Sequence, residues 1–181
     1  MAGVGGAGGR LFSSGIISVT TKETDRWRTP EEVLDCVRGV GPIGLDPFTE
    51  SDNPVGARHI YTEEEDGLRA EWAGFGLVFA NPPYSAGWLK KVARKVAAEA
   101  GAGCEIILLV PSDTSTRWHQ SLRETARAYC APAKRLRFLR PPGDGREATG
   151  DRRPSCVWYF GERPYLFCHA FQGMGFVRVI R

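Results

Sequence analysis

The stretch Gly76-Leu77-Val78-Phe79-Ala80-Asn81-Pro82-Pro83-Tyr84-Ser85 begins as a short apolar run and ends in a turn that contains two prolines. The run carries β-branched and aromatic side chains, which is typical of a buried strand. The prolines remove two backbone donors and restrict two φ angles, so neither a strand nor a helix continues through them. The sequence therefore predicts a strand over about 76–80 followed by a rigid turn. Because the pockets of open α/β sheets lie at the carboxyl ends of their strands, we expect a site at this turn.

Four residues of the turn, Asn81, Pro82, Pro83 and Tyr84, suit the methylation of an exocyclic amine. Such an amine is a poor nucleophile because its lone pair is delocalised into the ring. The side-chain oxygen of Asn81 and the carbonyl of Pro82 would each accept one of its hydrogens and free the lone pair. Pro83 has no N–H that competes for these acceptors, and Tyr84 offers a ring for stacking. The alternative is a turn without chemistry, since Asn-Pro is a common turn initiator.

A strand–helix–strand pattern surrounds the turn. Ser85 is the expected cap of a helix over about 86–100, whose apolar residues recur at helical spacing. The apolar run over 105–110 predicts a second buried strand, and a strand–helix–strand unit of these lengths implies a parallel sheet. We therefore expect an α/β fold with a mostly parallel central sheet, helices on both faces and an antiparallel C-terminal edge.

The rest of the chain predicts a Gly-rich flexible tail over 1–15 and a single domain over 16–181. Thr29 is the expected cap of a helix over 30–38, with Pro30 at its first position. Downstream, a helix is expected over 116–129, and no helix is expected between the last two strands. The further strands are expected over 16–20, 43–48 (with the carboxylate of Asp46), 59–62, 155–160 and 176–180.

Cysteine usage and hydropathy exclude several classes of protein. Five scattered cysteines show no spacing of metal ligands, and their odd number favours a reducing cytoplasm. No metal site is expected, and Cys104 and Cys156 are expected to pack in the core. No apolar run approaches the roughly 20 residues of a membrane span. The N-terminus also lacks the pattern of a secretory signal.

Basic residues are concentrated in the last third of the chain. The net charge is only +3, but the segment 117–153 holds ten Lys or Arg against four Asp or Glu, which gives +6. Such a segment suits a partner with a phosphate backbone, and the alternative is a solvated helix face with a mobile basic loop. The candidate nucleic-acid contacts are the cations of the turn over 134–140 and the loop over 141–154: Lys134, Arg135, Arg137, Arg140, Arg146, Arg152 and Arg153.

Several motifs in a fixed order extend the argument beyond the turn. They are Trp27-x-Thr29-Pro30, Leu45-Asp46-Pro47, Asn53, Asp66-Gly67-Leu68, Trp72, Asn81-Pro82-Pro83-Tyr84-Ser85, Trp88, the Leu-Leu-Val-Pro strand over 108–111, Arg117-Trp118 and Arg135-Leu136-x-Phe138. With them, the chain from 27 to about 159 resembles the phage-type DNA N6-adenine methyltransferases (the Dam family of phages and prophages). The resemblance implies a Rossmann-like S-adenosylmethionine methyltransferase fold. It also implies methyl transfer to a flipped adenine of double-stranded DNA, held by Asn81 and Pro82 and stacked on Tyr84.

The resemblance further implies a binding site for S-adenosylmethionine. Asp46-Pro47 would lie at the methionine end of the cofactor pocket, and Thr29-Pro30 would flank the methionine moiety. Asp66 would accept a hydrogen bond from the adenine amine of the cofactor. Glu50 and Asp52 are the candidates for an acid that binds the ribose hydroxyls.

The loop after the Asp-Pro-Phe of residues 46–48 departs from the family pattern. Amino-methyltransferases usually carry glycines two and four residues beyond this motif, whereas here Thr-Glu-Ser-Asp follows. Two alternatives therefore stay open: a methyltransferase of another amine or amide (an RNA base or a protein glutamine), and a non-catalytic DNA-binding module with a degenerate cofactor site. The oligomeric state is left open between a monomer and a weak dimer.

Overall fold

Four helices and one seven-stranded sheet make up the parts of the chain that the computed structural model describes, which are residues 27–85, 87–140 and 153–180. The expected tail over 1–15 and strand over 16–20 lie outside the described residues. In chain order the elements are α1 (Glu31–Val40), β1 (Ile43–Asp46), β2 (His59–Ile60), β3 (Leu77–Ala80), α2 (Trp88–Gly101), β4 (Glu105–Pro111), α3 (Arg117–Thr125), β5 (Ala128–Pro132), β6 (Ser155–Phe160), α4 (Pro164–Phe171) and β7 (Gly175–Val179).

The strands are ordered β2-β1-β3-β4-β6-β5-β7. The first four run parallel to one another. β6 is antiparallel to both of its neighbours, and β7 is antiparallel to β5. Five strands therefore share one direction, while β6 and β7 run the opposite way. The expected α/β class and the parallel strand–helix–strand unit around β3 are confirmed.

The C-terminal layout differs from the expected hairpin edge. β6 lies between β4 and β5 instead of at the edge, and α4 separates β6 from β7 along the chain. The helix expected over 116–129 ends at Thr125, because Ala126 has an extended backbone (φ −64°, ψ 143°). The chain then continues as β5, whose first two residues fall within the expected helix. The expectation that no helix lies between the last two strands is wrong as well, because α4 lies there.

Helices cover both faces of the sheet. On one face, Val37 of α1 and Phe167 of α4 pack in one core with Phe79 of β3. On the other face, Val92 of α2 and Leu122 of α3 pack with the opposite side chains of the same strands. This alternation follows from the strand geometry, since successive side chains point to opposite faces. The expectation of helices on both faces is confirmed.

Two expected helix caps are wrong. The N-cap of α1 is Pro30, and no side chain caps this helix, so the Thr29 hydroxyl is not used there. The N-cap of α2 is Gly87 instead of Ser85, and its φ of 86° lies in the left-handed region that glycine adopts without strain. Among the helices described, none is long and apolar enough to cross a membrane.

Candidate active site

Three neighbouring parallel strands, β1, β3 and β4, have their carboxyl ends on the same side of the sheet. Asp46 is the last residue of β1, and Asn81 directly follows β3. The carboxyl ends of neighbouring parallel strands are where open α/β sheets bind ligands. The carboxylate and the carboxamide singled out from the sequence therefore lie on adjacent strand ends.

The Asn81 side chain is hydrogen-bonded at both ends of its amide. Its Nδ2 donates to Oγ1 of Thr29 over 3.0 Å, and the hydroxyl of Tyr84 donates to its Oδ1 over 3.0 Å. Thr29 is only 6% exposed, and Asn81 is partly buried. The amide is thus held between a residue 52 positions away in sequence and the tyrosine of its own turn.

The prolines of the turn are at least partly buried, and Tyr84 contacts neighbouring segments. Pro82 is buried and Pro83 is partly buried. The ring of Tyr84 packs against both cores and meets Phe138 edge-on, with 6.1 Å between ring centroids. The guanidinium carbon of Arg153 lies 5.6 Å from the centroid of the same ring. Tyr84 is therefore the point where the turn meets the basic part of the chain.

Asp46 is a buried carboxyl group at the end of β1. It is 3% exposed, and its Oδ1 accepts a hydrogen bond from the backbone N–H of Phe48 over 3.0 Å. Burial raises the pKa of this carboxyl from 3.8 to about 7, and the bonds from Phe48 and the Thr49 side chain oppose the rise. Among the described residues, no cation forms an ion pair with Asp46. A positively charged ligand group would therefore be stabilised beside it.

The turn over 66–68 lies directly against the loop that follows β1. A Cβ at Gly67 would lie 1.9 Å from the carbonyl oxygen of Pro47, so this approach requires glycine. Asp66 has a φ of 52°, and its Oδ1 accepts from the N–H of Leu68 over 3.2 Å. The indole of Trp72 donates to the Gly67 carbonyl over 2.8 Å. Residues 47–52, directly after β1, include no glycine, and Gly67 supplies the close backbone approach from another segment.

Residues 27–30 form a strap between the site and the basic segment (residues 134–140). Arg28 and Leu139 exchange two backbone hydrogen bonds, of 2.7 and 3.0 Å, in an isolated antiparallel bridge. Of the two acids considered for a ribose, Asp52 forms an ion pair with Arg28, and Glu50 is partly buried. The strap thus connects the basic segment to the hydroxyl that contacts the Asn81 amide.

The basic segment alternates between solvent and core. Lys134, Arg135 and Arg137 are exposed, whereas Leu136 and Phe138 are 4% and 2% exposed and belong to one core. This period of two is that of an extended chain with one buried side. The buried side chains anchor the segment, so its cations are presented from a fixed backbone.

The other predicted DNA contacts are placed differently. Arg140 is partly buried, and its guanidinium carbon lies 5.7 Å from the centroid of the Trp27 ring. Arg153 is exposed. Arg146 and Arg152 lie outside the described residues. The structure therefore brings the basic segment and Arg153 close to the turn over 81–84, and the contacts of these cations with DNA stay a prediction.

Three contacts of the site were missed by the sequence reasoning. They are the contacts of Thr29 with Asn81, of Phe138 with Tyr84 and of Gly67 with Pro47. Only Gly67 carried a usable signal, because a glycine beside an acid in a turn often marks a close backbone approach. The other two contacts join segments that are far apart in sequence.

A buried histidine–cysteine pair joins α3 to β6. Nε2 of His119 lies 3.5 Å from Sγ of Cys156. Burial lowers the pKa of His119 and raises the pKa of the Cys156 thiol to about 12, so both groups stay neutral near pH 7. Cys104 and Cys156 are buried, as expected. No group of three or more metal-ligating side chains occurs within the described ranges.

Comparison with known proteins identifies the family. A family model described as DNA N-6-adenine-methyltransferase (Dam) matches residues 17–165. The DNA N-6-adenine-methyltransferase of Escherichia phage T1 is 31% identical over 103 residues, which cover 56% of this chain and 42% of the phage protein. The match therefore spans less than half the length of that relative. Because the family model covers well over half of the chain, the protein belongs to the DNA N-6-adenine-methyltransferase (Dam) family.

Proposed function

We propose that this protein is a S-adenosylmethionine-dependent methyltransferase that acts on N6 of adenine in double-stranded DNA. The observation that carries the proposal is the Asn81 amide, fixed at the end of β3 beside the buried carboxylate at the end of β1. Membership of the family and the phage T1 relative support the reaction class. The seven-stranded sheet with helices on both faces supports a Rossmann-like methyltransferase fold.

The residues at the carboxyl end of β1 fit the cofactor. The ammonium group of its methionine moiety would pair with the carboxylate of Asp46, which has no cationic partner among the described residues. The backbone of Pro47 and Gly67 would form the wall beside it, with Pro30 and Asp66 at the positions that the family resemblance indicates. When bound, S-adenosylmethionine supplies the electrophilic methyl group, which the amine nitrogen takes as the carbon–sulfur bond breaks and its electron pair stays on sulfur.

The residues of the turn would activate the amine by accepting its hydrogens. Oδ1 of Asn81 and the carbonyl oxygen of Pro82 would each accept one N–H of the adenine amine, and the nitrogen lone pair would turn toward the methyl group. Pro83 has no N–H that competes for these oxygens. Positioning and hydrogen bonding supply the catalysis, so no general base is needed before transfer. The surplus proton leaves the product nitrogen to water.

Tyr84 would hold the target base outside the helix. Extruding a base costs a few kcal/mol of stacking and pairing. Stacking on an aromatic ring is worth about 1–3 kcal/mol per base and would offset part of this cost. The hydroxyl of Tyr84 now donates to the oxygen of Asn81 that the amine would use. A carboxamide oxygen has two lone pairs, so it can accept from both groups.

The basic segment would contact the phosphate backbone. Its exposed Lys134, Arg135 and Arg137 lie on the segment whose Phe138 contacts Tyr84, so the charge would be placed next to the base pocket. Neutralising phosphates supplies sequence-independent affinity that weakens with salt. Arg153, above the Tyr84 ring, would extend the same surface.

Incubation with methyl-labelled S-adenosylmethionine tests the reaction. The purified protein is given duplex DNA, RNA or a protein mixture, and we expect label at N6 of adenine in the DNA. Asn81→Ala should abolish it, whereas Gln120→Ala, which removes an exposed amide on α3, should leave it unchanged. Label mainly in RNA or protein, or equal labelling by the Asn81→Ala variant, would overturn the proposal.

Calorimetry with S-adenosylmethionine separates an enzyme from a non-catalytic DNA-binding module. We expect a saturable binding heat for the wild-type protein and its loss in Asp46→Ala. Binding to DNA without any heat from the cofactor would indicate the binding module. Sequencing of modified bases after expression in an unmethylated host then identifies the target sequence.

A further inference from the structure

Thr29 directs its hydroxyl to the catalytic turn and not to the helix that follows it. A threonine just before a helix is expected to accept a hydrogen bond from a backbone N–H of the first turn. Here no side chain caps α1, and Oγ1 of Thr29 accepts from Nδ2 of Asn81 over 3.0 Å. The residue is 6% exposed, so water does not readily replace this bond.

The backbone on both sides of Thr29 is fixed. On one side, Arg28 exchanges hydrogen bonds of 2.7 and 3.0 Å with Leu139. On the other side, the buried Pro30 has a restricted φ, and its carbonyl accepts from the first turn of α1. The hydroxyl therefore has a defined position relative to β3.

The bond from Asn81 Nδ2 to Thr29 Oγ1 anchors one end of the Asn81 amide. With Nδ2 bonded to Thr29 and Oδ1 facing Tyr84, the amide presents its acceptor on the side of the aromatic ring. Without the threonine hydroxyl, this end of the amide loses its anchor, and an amide that is free to rotate spends part of its time turned by half a turn. The NH₂ group would then face the substrate amine, which is also a donor, and the two would repel.

We propose that Thr29 is a positioning residue that orients the Asn81 amide toward the substrate amine. The proposal rests on the proposed methyltransferase function and differs from the expectation that Thr29 flanks the methionine of the cofactor. It places the hydroxyl on the substrate side of the reaction, although the residue lies in the strap upstream of the first strand.

Two substitutions separate the hydroxyl from the shape of the side chain. Thr29→Val keeps the shape and removes the hydroxyl, and Thr29→Ser keeps the hydroxyl. Thr116→Val is the matched control, because the Thr116 hydroxyl caps α3 by accepting from His119 N and donates to the Asp113 carbonyl. All proteins are assayed well below their melting temperatures on a duplex that carries a mapped target site.

The expected result is a loss of turnover without a loss of cofactor binding. Removal of one positioned hydrogen-bonding group from an active site lowers kcat by about 10²–10³-fold, and we expect about 10–100-fold for a group that acts through another. Thr29→Val should keep the wild-type Kd for S-adenosylmethionine within about twofold, and Thr29→Ser should restore most of the activity. Thr116→Val should melt earlier and keep its kcat.

Substrate discrimination provides a readout that a merely structural role would not change. A duplex with purine in place of the target adenine lacks the exocyclic amine. The wild-type protein should bind the adenine duplex more tightly than the purine duplex, and Thr29→Val should bind the two alike. An unchanged preference, a parallel loss of cofactor affinity, or equal impairment of Thr29→Ser would overturn the proposal.

A magnetic resonance measurement keeps this test separate from the proposed function. The Asn81 side-chain amide protons should exchange slowly with solvent in the wild-type and Thr29→Ser proteins and faster in Thr29→Val. Equal exchange in all three would contradict the role of Thr29 whether or not the protein methylates DNA. Slow exchange in a protein that labels no DNA would instead contradict the proposed function alone.

Discussion

Gly67 lies so close to Pro47 that a Cβ at position 67 would be 1.9 Å from the Pro47 carbonyl oxygen. Both contacting groups are backbone, so neither can move aside by changing a rotamer. Gly67→Ala should therefore displace the turn over 66–68 from the loop after β1. We expect a loss of about 1–3 kcal/mol in the free energy of unfolding, as for an overpacked core, and at least about a tenfold weaker binding of S-adenosylmethionine.

Gly101→Ala is the matched control for this prediction. A Cβ at Gly101 meets nothing within 4 Å, and the residue ends α2. Thermal melting and calorimetry of both variants check the expectation. A Gly67→Ala protein with wild-type stability and cofactor affinity would show that the contact between the two loops is dispensable.

The raised pKa of Asp46 predicts cofactor binding that depends on pH. The cofactor ammonium group pairs with the carboxylate, and burial raises the pKa of this carboxyl to about 7. Affinity should therefore rise about tenfold per pH unit up to about pH 7 and fall again above about pH 8, where the α-amino group of the cofactor loses its proton. Calorimetric titrations between pH 5.5 and 8.5 measure this dependence. A flat profile across that range would contradict the assigned partner.

The same group predicts an opposite effect on stability. A carboxyl whose pKa is raised on folding contributes its full stability below its usual pKa of 3.8 and loses that contribution as the pH rises toward 7. Asp46→Asn removes the charge and should raise the melting temperature at pH 8 while abolishing cofactor binding. A melting temperature at pH 8 that is lower than that of the wild-type protein would show that the charged carboxylate stabilises the fold.

The ring and the hydroxyl of Tyr84 should have separable effects. Tyr84→Phe removes the donor to Asn81 Oδ1 but keeps the face on which the base would stack. We expect its kcat/KM to stay within about threefold of wild type, and that of Tyr84→Ala to fall about 5–150-fold, as the loss of 1–3 kcal/mol of stacking implies. Steady-state kinetics on the mapped duplex measure both values.

Tyr165→Ala controls for the loss of an aromatic ring. Tyr165 is 78% exposed and lies in the first turn of α4. This helix follows β6, whose carboxyl end pairs with the start of β4, on the side of the sheet opposite to the candidate site. The Tyr165→Ala variant should behave like wild type. Equal losses in Tyr84→Phe and Tyr84→Ala would assign the effect to the hydroxyl and would exclude stacking as the main contribution.

Removal of two exposed cations from the basic segment should weaken DNA binding in a salt-dependent way. If Lys134 and Arg137 each contact one phosphate, the double alanine variant should reduce the slope of log affinity against log salt by about 1.8. Fluorescence anisotropy at several salt concentrations measures the slope. A double variant of Arg123 and Arg178, which are exposed on α3 and β7, is the charge-matched control and should keep the wild-type slope.

The parallel half of the fold was predictable because its signals are local. The apolar run before Asn81 and the two prolines after it define the end of β3 without reference to any other segment. After Glu105, the run over 106–110 is apolar without interruption, which suits the middle of a sheet covered on both faces. In both places, one stretch of sequence carries the whole signal.

The C-terminal half could not be predicted from local signals. No glycine or proline separates Thr125 from Ala128, so nothing in the sequence marks the change from α3 to β5. The position of β6 between β4 and β5 depends on pairings between distant residues, such as Val110 with Cys156. Likewise, the contact of Thr29 with Asn81 joins residues that are 52 positions apart. A threonine before a helix predicts a helix cap, so the local sequence did not indicate this contact.

The central place of β6 has a consequence for the synthesis of the chain. Within the described sheet, β6 is the strand that pairs with both β4 and β5, so it joins the two halves. Until residues 155–160 emerge from the ribosome, β4 and β5 each expose an unpaired strand edge, which invites association with other chains. The strands that carry Asp46 and Asn81 lie within residues 43–111 and can assemble earlier. In the nascent protein, the strands next to the candidate site would thus pair first, and β6 would join them to β5 later.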